Sequence, residues 1–261
     1  MNLLSQIVDV KKKEIQKLKT NNAMSYFLDS EFYHKSCIDF KSAISEPNKL
    51  SVIAEIKKGS PSKGIIRQNF NHIEIAGIYN ECNVNAISIL TDENFFYGDI
   101  LHLKEIAKTT KVPLLRKDFI IDEIQIHQAK AFGADAILLI SEILEKDEII
   151  EFTQIANSLG LSVLLELHSK DQLSKINFDS NKIVGINNRD LKSFNTTLRT
   201  TENIRYLLPS NIVTVSESGI SNEADVKEIK SYSIDAVLVG EHFMQSNNLK
   251  ETVNTFLEYC K

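Results

Sequence analysis

Tryptophan is absent from the chain, and cysteine, proline and glycine are scarce, at 3, 4 and 9 of 261 residues. The cysteines, Cys37, Cys82 and Cys260, are odd in number and far apart. They form neither a CxxC pair nor a zinc-like spacing, which excludes a disulfide framework and a thiolate metal site and fits a reduced, cytoplasmic setting. The 6 histidines show no HExxH pattern, so no metal site is expected, and no organic cofactor either. The longest apolar run, Ala136–Ile140, is far too short to span a bilayer. The first residues, Met1 to Thr20, are polar and lysine-rich after Val10, without the apolar stretch of a signal peptide. Positive charge is not in excess. A net charge of −5 argues against a nucleic-acid or acidic-membrane partner. It leaves room for a local basic pocket around a phosphorylated small molecule. No GxGxxG or GxxxxGKS/T loop occurs, which removes the usual nucleotide cradle of an open doubly wound sheet.

What is present is ordinary in amount, with 43% hydrophobic and 25% charged residues, enough to bury a core without staples. The order of these residues is informative. Eight short, apolar, β-branched runs recur: Leu50–Ile56, Asn85–Leu90, Val112–Arg116, Asp135–Ile140, Ser162–Leu167, Lys182–Ile186, Ile212–Ser216 and Asp235–Val239. They start roughly 20 to 35 residues apart, the spacing of a strand–helix unit. Helical patterns lie between them, with Ile73, Ala76, Gly77 and Asn80 on one face of one segment and Ile149, Ile150, Thr153 and Ala156 on one face of another. Gly133 and Gly160 fall after such patterns and before strands, where a left-handed C-cap ends a helix. Most runs are apolar on both faces, as in parallel strands covered on both sides. Eight units in about 250 residues predict a single (β/α)8 barrel spanning 1–261, with no fused second activity expected beyond Lys261. Residues 1–48 stand outside the repeat. Leu4, Ile7, Val8, Ile15 and Leu18 predict an amphipathic helix, and a second helical stretch is expected over Ser36–Ile44. This N-terminal helical extension either plugs the N-terminal mouth of the barrel or lids the catalytic mouth.

Active sites of such barrels lie at the C-terminal ends of the strands. The polar residues there are Glu55 and Lys57, which share a face by the two-residue period, then Lys117, Glu166, Asn187 with Arg189, and Glu217. Any one of them has an ordinary reading as a solvated or structural group. Together they are two lysines, three carboxylates, an asparagine and an arginine from several strands. Such a cluster is costly to bury for structure alone, and active sites are where it occurs. Ser218-Gly219 and Gly240-Glu241 follow the seventh and eighth runs, the usual phosphate position of this fold. Glycine lets backbone N–H groups approach an anion. Ser60, in the basic loop Lys57-Lys-Gly-Ser-Pro-Ser-Lys63, reads alone as part of an ordinary turn, and beside the two glycine turns as a third phosphate candidate.

These residues stand in an order that resembles the indole-3-glycerol-phosphate synthase family. The resemblance rests on Ile53-Ala-Glu-Ile-Lys-Lys-Gly-Ser-Pro-Ser62, Ser88-Ile-Leu-Thr-Asp92, Arg116-Lys-Asp-Phe-Ile120, Leu164-Leu-Glu-Leu-His168, Gly185-Ile-Asn-Asn-Arg-Asp-Leu191, Ser216-Glu-Ser-Gly-Ile220 and Leu238-Val-Gly-Glu241. It implies ring closure of 1-(2-carboxyphenylamino)-1-deoxyribulose 5-phosphate to indole-3-glycerol phosphate, CO2 and water. It implies a catalytic group of Glu55, Lys57, Lys117, Glu166, Asn187 and Glu217, with Arg189 and Ser218 beside it. Phosphate binding is implied for Ser60, Gly219, Gly240 and the backbone N–H of Glu241. Some relatives carry serine at 241, so the glutamate carboxylate is expected to point away from a phosphate. Substitution at Gly240 is expected to act on KM more than on kcat.

The chemistry needs these residue types. The ketone requires a proton donor, for which Lys117 is the first choice and Glu166 the matching base. Lys57 acts as a second acid or holds the substrate carboxylate, Glu55 orients the lysines, and Asn187 and Glu217 meet sugar hydroxyls. The aromatic ring needs an apolar slot, with Phe95, Phe96, Phe119, Leu138 and Leu191 as candidates. His168 is expected to be structural or solvent-facing. A monomer is expected. The competing readings are a phosphoribosylanthranilate isomerase-like barrel and a non-catalytic phosphate-sensing barrel.

Overall fold

Strands apolar on both faces need cover on both faces, and a closed sheet wrapped in helices supplies it. The computed structural model describes residues 3–21, 23–190 and 193–261. Its barrel strands are β1 (Ser51–Ile56), β2 (Ala86–Leu90), β3 (Leu114–Lys117), β4 (Ala136–Ile140), β5 (Ser162–Leu167), β6 (Ile183–Asn187), β7 (Val213–Glu217) and β8 (Ala236–Val239). Neighbours in the chain pair in parallel, and β8 pairs back onto β1, so the sheet closes. The fold class expected from the repeat is the one observed. β3 starts after Pro113, which has no N–H to give the ladder but whose carbonyl still accepts from Ile87 at 3.0 Å. A two-stranded hairpin, Gly59–Ser60 against Gly64–Ile65, stands over the mouth after β1.

The helices are α1 (Leu3–Thr20), α2 (Ala23–Leu28), α3 (Phe40–Ala43), α4 (His72–Glu81), α5 (Glu93–Phe96), α6 (Ile100–Ala107), α7 (Glu123–Ala131), α8 (Lys146–Ser158), α9 (Arg199–Arg205), α10 (Glu223–Ser231), α11 (Glu241–Met244) and α12 (Leu249–Cys260). The segment after β5 forms only a 3-10 turn, Lys170–Lys175. The face expected for α4 is rotated. Ile75, Ala76 and Tyr79 are buried, while Ile73 is exposed, because the Asn71 side chain caps the first turn and fixes the helix phase. Of the face expected for α8, Ile149, Thr153 and Ala156 are buried beside Phe152, and Ile150 at its edge is half-buried. Among the described residues, no helix is long and apolar enough to cross a membrane.

Side chains alternate between two cores. In β4, Ala136, Leu138 and Ile140 join the interior cluster, while Ile137 and Leu139 pack under the helices. The interior is filled by Ile53, Leu115, Leu164, Ile183, Val215 and Leu238. Two residues further along each strand, the same inward direction is occupied by Glu55, Lys117, Glu166, Gly185, Glu217 and Gly240. The polar layer is therefore the continuation of the apolar one.

The extension does both of the things left open by its sequence. Phe40 and Ile44 enter the interior cluster and stopper the barrel near the strand starts. Asp135, just before β4, holds this segment by accepting from Ile38 N–H at 2.7 Å. At the other mouth, Leu3, Leu4 and Ile7 of α1 lie over the cavity. The second helix is shorter than the expected Ser36–Ile44. Asp39 is extended and caps α3 through Ser42 N–H at 3.0 Å, so Ser36–Asp39 is not helical.

Candidate active site at the C-terminal mouth

A cavity of about 640 Å³ opens at the C-terminal ends of the strands. Its floor holds the inward layer. Lys117, at the end of β3, crosses the barrel to Glu166 on β5 at 2.9 Å and Glu217 on β7 at 2.5 Å. Glu55 on β1 pairs with Lys57 at 2.7 Å. Gly185 makes room for this arrangement: a Cβ there would lie 2.3 Å from Glu217 Oε1. Asn187, at the end of β6, stands beside Glu217 in register and accepts from Arg189 N–H at 3.0 Å.

Charges this close decide one another's protonation. Burial disfavours the Lys117 ammonium, yet Glu166, Glu217 and Glu55 together hold its pKa above the ordinary lysine range. Burial also pushes against ionised Glu166, and Lys117 overrides it, keeping that carboxyl below its usual value. Glu217 goes the other way, raised first by burial and then by the Glu166 charge. The trio therefore pushes its two carboxyls apart, Glu166 toward the anion beside the Lys117 ammonium and Glu217 toward its protonated form. Of the two places expected for His168, structural or solvent-facing, the structure has the first. Its side chain is buried, with Nε2 3.2 Å from Glu166 Oε1, because β5 carries it inward past the mouth. That contact is at ion-pair distance without a hydrogen-bonding angle.

One flank of the cavity gathers glycine turns, a serine and cations. Ser218 and Gly219 both have positive φ, 68° and 79°, and successive turns of this kind aim backbone N–H groups into a concavity. Gly240 precedes α11, and a Cβ on it would come 2.2 Å from Glu55 Oε1. Ser60 is buried and, with Arg189, lines the same flank. Glu241 departs from expectation. Its carboxylate does not turn away but meets Arg189 at 3.0 Å and Lys63 at 3.6 Å on the cavity rim. Partial burial opposes its charge, and Arg189 outweighs this, lowering its pKa. The two basic loops otherwise bring unpaired cations together there, which draws the carboxylate in.

The apolar wall includes Phe96, Phe119 and Leu138. Phe95 is outside it, since the single turn of α5 directs only Phe96 toward Phe119, with ring centroids 5.9 Å apart. Leu191 lies outside the described residues. The wall also includes Leu4 and Ile7 of the extension, as its lid alternative implies, and Leu3 and Phe194, which the sequence did not single out. Sequence reasoning also passed over Asn188, which donates to Ser216 Oγ at 3.0 Å and to the Ser218 carbonyl at 3.1 Å and so fixes the Ser218-Gly219 turn from behind. The doubled asparagine in Asn187-Asn188 was the signal: by the two-residue period only one of them faces the cavity.

Fold and mouth together define a (β/α)8 barrel whose C-terminal mouth holds a buried lysine–carboxylate layer beside two glycine turns. Residues 4–256 match the family described as indole-3-glycerol phosphate synthase. The chain is 44% identical over 249 residues to an indole-3-glycerol phosphate synthase of Alkaliphilus metalliredigens, covering 95% of each chain. It is 41% identical over 259 residues to one of Thermoanaerobacter pseudethanolicus, covering 99% of this chain and 98% of that one. The chain belongs to the indole-3-glycerol phosphate synthase family. Among solved structures, it matches tryptophan synthase subunit alpha from Legionella pneumophila at a TM-score of 0.62 and 13% identity, covering 85% of this chain and 96% of that one. A 3-hexulose-6-phosphate synthase from Salmonella typhimurium matches at 0.65 and 11%, covering 81% and 98%. These two share the fold.

Proposed function

We propose that the chain is an indole-3-glycerol-phosphate-forming carboxy-lyase of tryptophan biosynthesis. It closes the pyrrole ring of 1-(2-carboxyphenylamino)-1-deoxyribulose 5-phosphate with loss of CO2 and water. The observation that carries this reading is Lys117 suspended between Glu166 and Glu217 in the inward layer. Ring closure turns the substrate ketone into an alkoxide. Its oxygen becomes far more basic than a carbonyl, basic enough to take a proton even from a strongly held ammonium. Lys117 fits that donor role. CO2 then leaves from the carbon that attacked, its bonding pair restoring the aromatic six-membered ring, and the pyrrole is completed when the hydroxyl departs as water. That last step needs a second acid and a base. Ionised Glu166 fits the base. Lys57, paired with Glu55, fits the second acid or the holder of the substrate carboxylate.

In this reading Asn187 and Glu217 meet the sugar hydroxyls, and Glu217 Oε1, buried without a protein partner, is available to one. Ser60, Ser218, Gly219, Gly240, Arg189 and the Glu241 N–H hold the phosphate. Phe96, Phe119 and Leu138 hold the aromatic ring. The catalyst is proposed to be a monomer. The free thiols of Cys37, Cys82 and Cys260 support a cytoplasmic one.

The test is direct because the chain has no tryptophan. Substrate added to purified protein should give indole-type emission that grows with time over a dark background, and it should do so with a chelator present. Glu166→Gln should abolish the growth. A folded protein that binds the substrate and yields no indole would make the chain a phosphate-sensing barrel instead.

A further inference from the structure

Lys11 lies in the middle of α1, and its side chain is 3% exposed. Its ammonium sits 2.9 Å from each of three carboxylates, Glu14, Asp92 and Asp118. Asp92 and Asp118 are themselves 0% and 1% exposed. Buried ion clusters are poor devices for stability alone, since apolar residues of similar volume often serve as well. What they do supply is a fixed geometry. The partners of Lys11 are placed for that. Asp92 caps α5 by accepting from Phe95 and Phe96 N–H at 2.7 and 3.1 Å, and Phe96 is part of the cavity wall. Asp118 sits in the chain between Lys117 and Phe119, both on the wall. It is held further by Thr91 Oγ1 at 2.6 Å and Arg116 at 3.0 Å. One turn before Lys11 on the same face of α1 is Ile7, and two turns before it are Leu3 and Leu4, all over the cavity.

We propose that Lys11 is a positioning residue whose ammonium latches α1 onto the loops after β2 and β3, holding Leu4 and Ile7 over the substrate and fixing the strand end that carries Lys117. Burial disfavours the ammonium, but Asp118 and Asp92 keep its pKa above the ordinary lysine range. Asp118 is likewise held below the usual carboxylate range, Lys11 and Arg116 overriding its burial. The latch is therefore fully charged through the neutral range.

The inference rests on the reading of the cavity given above. Its test uses the full chain and indole emission from the carboxyphenylamino-deoxyribulose phosphate. Lys11→Met should raise KM by about tenfold with a smaller fall in kcat, the signature of lost uniform binding. Leu4→Ala should raise KM in the wild-type background and add little in Lys11→Met, because contacts through one element are not additive. Trypsin should cut faster at Lys12 and Lys13 in Lys11→Met than in the wild type. A folded Lys11→Met with wild-type KM, or effects that simply add, overturns the latch. If Lys11→Met does not fold, Asp92→Asn keeps the α5 cap and removes one charge. It should raise KM likewise, and a wild-type KM there overturns the latch. A wild-type chain that forms no indole overturns the reading of the cavity instead. The trypsin rates then decide the latch alone, equal rates overturning it.

Discussion

Lys117 is the residue on which the proposed chemistry turns. Lys117→Ala should lower kcat by about 100-fold or more, the scale of a removed general acid. Lys117→Arg should not restore it, because a guanidinium does not readily release its proton. Steady-state turnover near the wild-type rate in either variant would remove Lys117 from the mechanism. Gly240 changes meaning once its surroundings are known. A methyl group there meets Glu55 Oε1 at 2.2 Å and Glu55 Cβ at 2.9 Å. Gly240→Ala should therefore displace the Glu55–Lys57 pair and lower kcat by about tenfold or more, as small misplacements of reacting groups do. An effect confined to KM would show that Glu55 yields without consequence. Single residues were read well where a strand period dictates their direction, as for Glu55, Lys117, Glu166 and Glu217. They were read poorly where a helix or loop decides. Lys11 is the first of three consecutive lysines, and the docking of α1 against Asp92 and Asp118 sets it apart from Lys12 and Lys13, both exposed.

All eight barrel strands were legible, because β-branched runs apolar on both faces have few other uses. The extension was legible as helix but not as to place. Nothing in the spacing of Leu4, Ile7 and Ile15 says which mouth they cover, and the contacts that decide this lie far away in sequence. The structure divides the task between α1 above and α3 below, which gives separable outcomes. Phe40 is fully buried in the interior cluster near the strand starts, away from the polar layer. Phe40→Ala should cost about 3–5 kcal/mol of stability, as large cavities in cores do, with kcat nearly unchanged in the folded fraction. Urea denaturation and steady-state kinetics on the same preparation check both halves. A large loss of kcat with little loss of stability would place α3 in the catalytic machinery.

The whole molecule should feel pH through groups that shift in opposite directions. Asp118 is depressed below its ordinary value of 3.8, so its stabilisation is present above that pH and is lost as pH falls through the folded value. Lys11 is raised above 10.5, so its share is present below that pH and is lost only as pH rises through a higher one. Glu217 is raised above 4.5, so its proton favours the fold below 4.5, and that contribution drains away as pH rises through its folded pKa. From pH 5 to 9 the Glu217 contribution should therefore decline, against a rise from His102, His127 and His242, whose burial lowers their pKa values, and Glu217→Gln should remove the declining part from unfolding free energies measured across that range. An unchanged slope in that variant would assign the effect elsewhere.

Closure of the barrel has a consequence for how the protein is made. Ser51 of β1 lies beside Ala236 of β8, and Leu50 N–H bonds the carbonyl of Cys260 at 3.1 Å. On the ribosome, β1 emerges early and waits through almost the entire synthesis for its second neighbour. Until then the growing sheet has two raw edges, and Glu55 lacks the Gly240 turn that packs against it. The last turn of translation thus removes the sticky edge and completes the reaction centre in one event, so nascent chains halted before β8 should both clump and lack activity.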